Sequence, residues 1–265
     1  MSRIEAAFAR AKDENRAAFV PYMTAGFPNE ETFLEVAGGL LELGDVLEVG
    51  LPYSDPLGDG PTVQRASEQV LAQGMTTQKT FDLIRKLREG SNKAIVLMTY
   101  YNPIFCYRTG EAGFLQDLKT AGADGVILPD LPPDEANTLI PAAREVDLDT
   151  VFLVAPTSTE ARIKLVTEAC RGFVYAVSVT GVTGARTALS QDVPELVRRV
   201  KAVSDLPVAV GFGVASAETA RPVAEVADGV VVGSALVSAV TEGKDVEGLA
   251  RNIVSACGKA SSAPA

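Results

Sequence analysis

Glu48 and Asp59 are the two residues of this sequence whose type and setting best suit acid–base chemistry. Glu48 interrupts a short apolar run, Val46-Leu47-Glu48-Val49-Gly50. In a strand successive side chains alternate, so Val46 and Glu48 share one face and Leu47 and Val49 the other. If helices cover the outer face, a carboxylate there would be buried without compensation, so Glu48 is expected to point inward, toward the mouth of the sheet. An apolar mouth raises a carboxyl pKa and lets one group both donate and accept a proton near neutral pH. An ion-paired strand glutamate is the alternative. Asp59 follows in Leu51-Pro52-Tyr53-Ser54-Asp55-Pro56-Leu57-Gly58-Asp59-Gly60-Pro61-Thr62, where prolines and glycines impose an unusual backbone path. Asp55 and Asp59 either cap turns in this segment or face reacting atoms, and residue type alone leaves both open.

What the chain lacks narrows the chemistry further. Its 265 residues include no histidine, so proton transfer falls to Asp, Glu, Tyr, Cys or Lys. A Ser–His or Cys–His nucleophile is excluded, and no metal site is assigned, because the usual imidazole ligands are missing. A Schiff-base mechanism needs a lysine at the C-terminal end of a strand; none falls there, and Lys93 precedes a strand rather than ending one. A net charge of −10 with scattered Lys and Arg argues against a nucleic-acid or anionic-membrane surface. Cys106, Cys170 and Cys257 are widely spaced and form no CxxC pair, which points to reduced thiols and a cytoplasmic protein. Met1–Arg10 is too charged for a signal peptide, and no apolar run approaches a membrane span.

The framework that would hold these carboxylates is legible as alternation of strands and helices. Short β-branched runs bounded by Gly, Pro or Asp occur at Ala18–Thr24, Val46–Gly50, Ala94–Tyr100, Gly125–Leu128, Thr150–Val154, Phe173–Ser178, Pro207–Gly211 and Gly229–Val232. Amphipathic segments lie between them, among them Glu31–Leu43, Thr77–Gly90 and Glu195–Val203. Strand-then-helix repeated in this way predicts an α/β fold: a single (β/α)8 TIM barrel of parallel strands, one domain over residues 1–258. Ser2 and Glu5 form a capping-box pattern ahead of Ala6, Ala7 and Phe8, which predicts an extra N-terminal helix able to plug the barrel floor. Lys259–Ala265 is small and polar, and is expected to be a disordered tail. The active face of such a barrel is built from the loops after the strands. The long segments there, Leu51–Gly60 and Val179–Gln191, are therefore candidate lids. Gly211-Phe212-Gly213 after strand seven and Gly233-Ser234 after strand eight suit a phosphate bound by backbone amides at a helix N-terminus. Neither loop carries Lys or Arg.

The run from Leu47 through Asp59 to Gln64 closely resembles the signature of tryptophan synthase alpha chains. Pro129-Asp130-Leu131-Pro132, Ser178-Val179-Thr180-Gly181-Val182-Thr183-Gly184, Gly211-Phe212-Gly213 and Gly233-Ser234 resemble that family in the same order, and the resemblance spans essentially the whole chain. It implies retro-aldol cleavage of indole-3-glycerol phosphate to indole and glyceraldehyde 3-phosphate. Glu48 would be the acid–base catalyst, Asp59 the second carboxylate and Tyr175 a positioning group. Tyr22, Met98, Tyr100, Ile127, Tyr175 and Phe212 would form the indole slot. Gly184, Gly213, Gly233 and Ser234 would hold phosphate, and Thr183 would hydrogen-bond Asp59 when the lid closes. The resemblance also implies a beta-subunit partner in an α2β2 tetramer, with pyridoxal phosphate on that partner and no cofactor on this chain. Pro52, Asp55, Pro129, Asp130 and Pro132 would meet it. The competing readings are a free-standing indole-releasing lyase and another phosphosugar-binding barrel isomerase.

Overall fold

The computed structural model describes residues 1–177, 192–211 and 213–259. Helix α1 (Arg3–Asp13) precedes β1 (Ala18–Thr24), α2 (Glu30–Leu43), β2 (Val46–Gly50), α3 (Pro61–Ala72) and α4 (Thr77–Gly90). The chain continues through β3 (Ala94–Met98), α5 (Tyr101–Phe105), α6 (Gly110–Ala121) and β4 (Gly125–Leu128) to α7 (Leu139–Glu145), β5 (Asp149–Val154), α8 (Glu160–Ala169) and β6 (Val174–Val177). It ends with α9 (Asp192–Lys201), β7 (Val208–Gly211), α10 (Ala217–Val226), β8 (Gly229–Val232), α11 (Ser234–Thr241) and α12 (Val246–Ala256). The eight strands close into one parallel barrel in sequence order, β8 pairing back onto β1. No helix among the described residues is long and apolar enough to cross a membrane.

Alternation sorts the strand side chains into two layers. Phe19, Leu47, Val49, Val126, Phe152, Val210 and Val232 face the helices. Val20, Val46, Val96, Ile127, Val151, Ala209 and Val231 fill the barrel interior. Each fully buried aliphatic side chain contributes roughly 1.5–3 kcal/mol, so the outer layer is what keeps the strands in phase and leaves Glu48 on the inner face. The floor is closed by α1. The Ser2 capping box starts that helix as its sequence predicts, and Ile4, Ala7, Phe8 and Ala11 enter the interior cluster. Phe8 stacks at 5.3 Å on Phe173. Gly229 is required there, because a Cβ would lie 2.8 Å from Phe8 Cε1.

Carboxylates tie the floor together. Asp45, Asp124 and Asp228 accept hydrogen bonds from Phe19, Ile95 and Val208 amides at 2.9, 2.9 and 3.0 Å. Each is also paired with a cation, Arg16, Arg88 and Lys201 respectively. With its charges committed at this end, the barrel is left to do chemistry at the other.

Several element ends differ from the sequence reading, β3 and β7 for a local reason. β3 stops at Met98 rather than Tyr100, because Tyr100 is already the N-cap of α5. β7 starts at Val208 rather than Pro207, whose nitrogen has no proton to give a ladder. β5 begins one residue early, at Asp149, and β6 begins one residue late, at Val174, while its expected last residue, Ser178, lies outside the described residues. The helix expected at Glu195–Val203 runs from Asp192 to Lys201. Lys259, expected in the disordered tail, donates its amide to Asn15 O at 3.0 Å. Residues 260–265 lie outside the described residues.

Candidate active site

Glu48 sits mid-strand in β2, level with Tyr22 of β1 and Val96 of β3. It is 3% exposed and reaches a cavity of about 140 Å³ at the C-terminal mouth of the barrel. Tyr22, Asp59, Met98, Tyr175, Gly213, Gly233 and Ser234 line the same cavity. Among the described residues Glu48 Oε2 has no hydrogen-bond partner, and a buried polar atom without one calls for an explanation. Burial pushes the Glu48 carboxyl up to about 8, and the nearby Asp59 charge adds to the rise. Among the described residues no cation lines the cavity, and none is among the causes acting on Glu48, so they offer no partner for the ion-paired alternative.

Asp59 arrives from the loop after β2, and the loop's own bonds aim it. Asp59 N donates to Pro56 O at 3.0 Å, and Gln64 Nε2, from the first turn of α3, donates to Asp59 O at 2.9 Å. Pro61 starts α3 with the φ that a first helical turn needs. Burial raises Asp59 to about 6, and a hydrogen bond from the Tyr100 hydroxyl holds back the rise. Burial thus pushes both carboxyls upward and Glu48 further than Asp59, a difference of environment that favours the protonated form at Glu48 over Asp59.

Two tyrosines frame the carboxylates through matching glycines. A Cβ at Gly50 would lie 2.2 Å from Tyr22 Oη, and one at Gly211 would lie 2.3 Å from Tyr175 Oη. Tyr22 Oη is also 3.1 Å from Thr24 Oγ1. Burial holds both phenols protonated, well above the ordinary tyrosine range. Across the mouth, Gly213 has φ +85, a left-handed conformation suited to glycine. Gly233 is the N-cap of α11, whose first intrahelical bonds run from Leu236 and Val237 amides back to Gly233 O. The Ser234 and Ala235 amides lie ahead of those bonds at the positive end of the helix, where an anion is stabilised.

Other assignments land differently. Ile127 lies in the barrel interior and is not part of the cavity lining. Tyr100 is not part of the lining either; its hydroxyl accepts the Gly58 amide at 3.0 Å. Pro52 is buried and offers little surface to a partner; from its loop Leu57, 95% exposed, offers much more. Asp55 is exposed and accepts from Ser54 Oγ at 2.5 Å. Asp130 accepts from the Tyr101 amide at 2.9 Å, capping α5. Pro129, Asp130 and Pro132 line a separate groove of about 380 Å³ beside the mouth. Thr183, Gly184, Phe212 and the segment Val179–Gln191 lie outside the described residues. Val63, Val214 and Val231 line the cavity without having been singled out; for Val231, strand alternation alone places it inward. A larger cleft, about 710 Å³, opens at the opposite end of the barrel between Phe8, Pro207 and Lys259. Its Lys201 and Asp228 neutralise each other at 2.8 Å, whereas the smaller cavity holds the two shifted carboxylates, and chemistry is assigned there.

Residues 8–263 match the family model described as tryptophan synthase alpha chain. The chain is 55% identical over 258 residues to the tryptophan synthase alpha chain of Deinococcus radiodurans, covering 97% of this chain and 95% of that one. It is 49% identical over 243 residues to that of Mycobacterium leprae, covering 91% and 89%. A crystal structure of tryptophan synthase from M. tuberculosis superposes with a TM-score of 0.90 at 43% identity, over 98% of this chain and 100% of that one. A Pyrococcus furiosus tryptophan synthase alpha-subunit superposes with a TM-score of 0.81 at 38% identity, over 90% and 97%.

Proposed function

The chain belongs to the tryptophan synthase alpha chain family, and from that premise we propose that its barrel mouth splits indole-3-glycerol phosphate into indole and glyceraldehyde 3-phosphate by proton transfer. As a family member it is an enzyme of tryptophan biosynthesis, a carbon–carbon lyase. The observation that carries the mechanism is the pair of carboxylates in one cavity, Glu48 held up to about 8 and Asp59 to about 6.

Indole is a poor carbon leaving group until ring carbon 3 is protonated. Protonated Glu48 gives its proton to that carbon, and positive charge develops on the ring nitrogen. Ionised Asp59 accepts the ring N–H and stabilises the charge. The bond from carbon 3 to the side chain then breaks, its electron pair returning to the indole ring. The hydroxyl on the departing carbon gives its proton to Glu48 as the aldehyde forms, which restores the acid for the next turnover. Tyr175 and Tyr22 wall the ring slot, with Tyr175 as the positioning group, and the indole stacks against apolar surface that includes Met98 and Val231. The phosphate rests on the amides of Gly213, Gly233 and Ser234. With no Lys or Arg among the described lining residues, helix dipole and N–H groups carry that binding. Gly213→Asp and Gly233→Asp are each expected to raise KM about tenfold or more by setting a carboxylate against the phosphate. Unchanged binding of glycerol 3-phosphate in calorimetry would place the phosphate elsewhere.

Indole is apolar and crosses membranes, so its release into bulk water is wasteful, and a consuming partner belongs at the mouth. That partner is a beta subunit in an α2β2 assembly, which holds pyridoxal phosphate; no cofactor sits on this chain. Asp55 and Leu57 after β2, Phe105 at 67% exposure after β3, and Pro129, Asp130 and Pro132 after β4 are the surface offered to it. The test follows indole release by the purified chain in EDTA with borohydride present, and then during titration with a cognate beta subunit. Turnover is expected to persist with no mass added to any lysine, and to rise on titration unless Asp55 is replaced by Ala. A borohydride-trapped lysine adduct or loss of activity in EDTA overturns the proton-transfer mechanism. A flat titration overturns the partner.

A further inference from the structure

We propose that the cleft at the floor of the barrel binds a small apolar carboxylate, its acid group between Lys12 and Lys259 and its hydrocarbon part against Ala9, Leu206 and Pro207. The cleft measures about 710 Å³, and all five residues line it. Small-molecule sites span roughly 300–1,000 Å³, so a compact organic acid fits. The cleft opens at the end of the barrel opposite Glu48, and the inference stands apart from the lyase reading.

Pairing singles out the two lysines. Lys12, Arg16, Lys201 and Lys259 are the cationic side chains that line the cleft among the described residues. Arg16 is held by both oxygens of Asp45, at 2.6 and 2.8 Å, and Lys201 by Asp228 at 2.8 Å. Lys12 and Lys259 form no ion pair among the described residues. Of the lining carboxylates, Glu5 accepts the Ser2 amide at 2.8 Å, and Asp228 takes the Val208 amide at 3.0 Å as well as Lys201. Asp205 is exposed at the rim. Two ammonium groups thus face one open carboxylate, a local positive surplus in a chain of net charge −10. One carboxylate from a ligand matches that surplus.

The backbone fixes where the lysines stand. Lys12 is in the last turn of α1. Asn15, at φ +52, then turns the chain, a conformation that Asn adopts more readily than most residues. Asn15 O accepts the Lys259 amide at 3.0 Å, and Asn15 Nδ2 donates to Lys259 O at 3.3 Å. Ala17 N donates to Cys257 O at 2.9 Å. The segment carrying Lys259 is thereby clipped beside the end of α1. Lys259 is half-buried, and burial lowers its pKa; Asp228 offsets part of that, and the Lys201 and Lys12 charges add to it. A bound anion would favour its charged form. Leu206 and Pro207, half-buried ahead of β7, supply the apolar wall, and a few polar groups set against such a wall are what orient a small ligand.

The test is calorimetry of the full chain with 3-phenylpropionate. A dissociation constant of about 1 mM or tighter is expected. Lys12→Ala and Lys259→Ala should each weaken it about tenfold, the scale of one charge-assisted contact. 3-Phenylpropanamide, with the same shape and no charge, should also bind about tenfold more weakly or worse. Cleavage turnover in both variants should equal that of the wild type, because neither lysine lines the mouth. The substitutions keep the main-chain clip, and an unchanged melting temperature checks that. No binding up to about 10 mM, or equal affinity in the Lys12→Ala, Lys259→Ala double variant, overturns the site.

Discussion

Glu48→Gln is expected to abolish cleavage while leaving phosphate affinity and the fold intact. Glutamine has the same shape but no acidic proton for ring carbon 3, and it cannot take up the hydroxyl proton as the bond breaks. Loss of a placed acid–base typically costs on the order of 10²–10⁴ in rate, and here one group serves both transfers. Stability should change in the opposite direction. The folded carboxyl titrates near 8 against an ordinary 4.5, so between those values the folded state holds a proton that the unfolded state has lost. Stability then falls as pH rises through that window, and the cost is greatest above about 8. Gln carries no such linkage, so Glu48→Gln should be the more stable protein at pH 8, by on the order of a few kcal/mol. Turnover near that of the wild type would remove Glu48 from the mechanism. Equal melting temperatures of the two proteins from pH 5 to about 8 would show that the carboxyl is not held protonated by burial.

Asp59→Asn is the second large effect. An amide cannot neutralise a positive ring nitrogen, so turnover should fall by on the order of a hundredfold or more, as when one stabilising group is removed from an electrostatic site. The same change removes the charge that adds to the rise at Glu48, so the basic limb of any residual activity should move to lower pH. The two readouts separate the roles. A rate loss with an unmoved basic limb would mean that Asp59 and Glu48 do not sense each other across the cavity.

Much of this site was legible in the sequence because strand alternation is rigid. Leu47 and Val49 pack outward and Val46 and Glu48 inward, as a period of two requires. The same rule reaches Val231, which lines the cavity. It fails at Tyr100, because the strand ends at Met98 and the backbone turns into α5; past that point inside and outside are set by the turn and by Asp130. It fails at Pro52 as well. A proline-rich loop looks exposed in sequence, yet its first residues continue the ladder, Leu51 N donating to Met98 O at 2.9 Å, and carry Pro52 inward. The bond from Gln64 to the Asp59 carbonyl depends on how α3 closes over the loop, and neither composition nor spacing encodes that angle. Ile127 shows the limit of position along a strand: it faces inward as expected and pairs with Met98, which lines the cavity, yet it belongs to the interior cluster and not to the lining.

The dependence of kcat/KM on pH for the wild-type chain tests the central claim most directly, since the mechanism needs Glu48 protonated and Asp59 ionised at once. Activity should fall below about 6, as Asp59 takes up a proton, and above about 8, as Glu48 loses one. A bell with its maximum between those values is the expected result. A profile flat from pH 5 to 9, or one rising steadily through 8, would contradict the assignment of opposite protonation states to the two carboxylates.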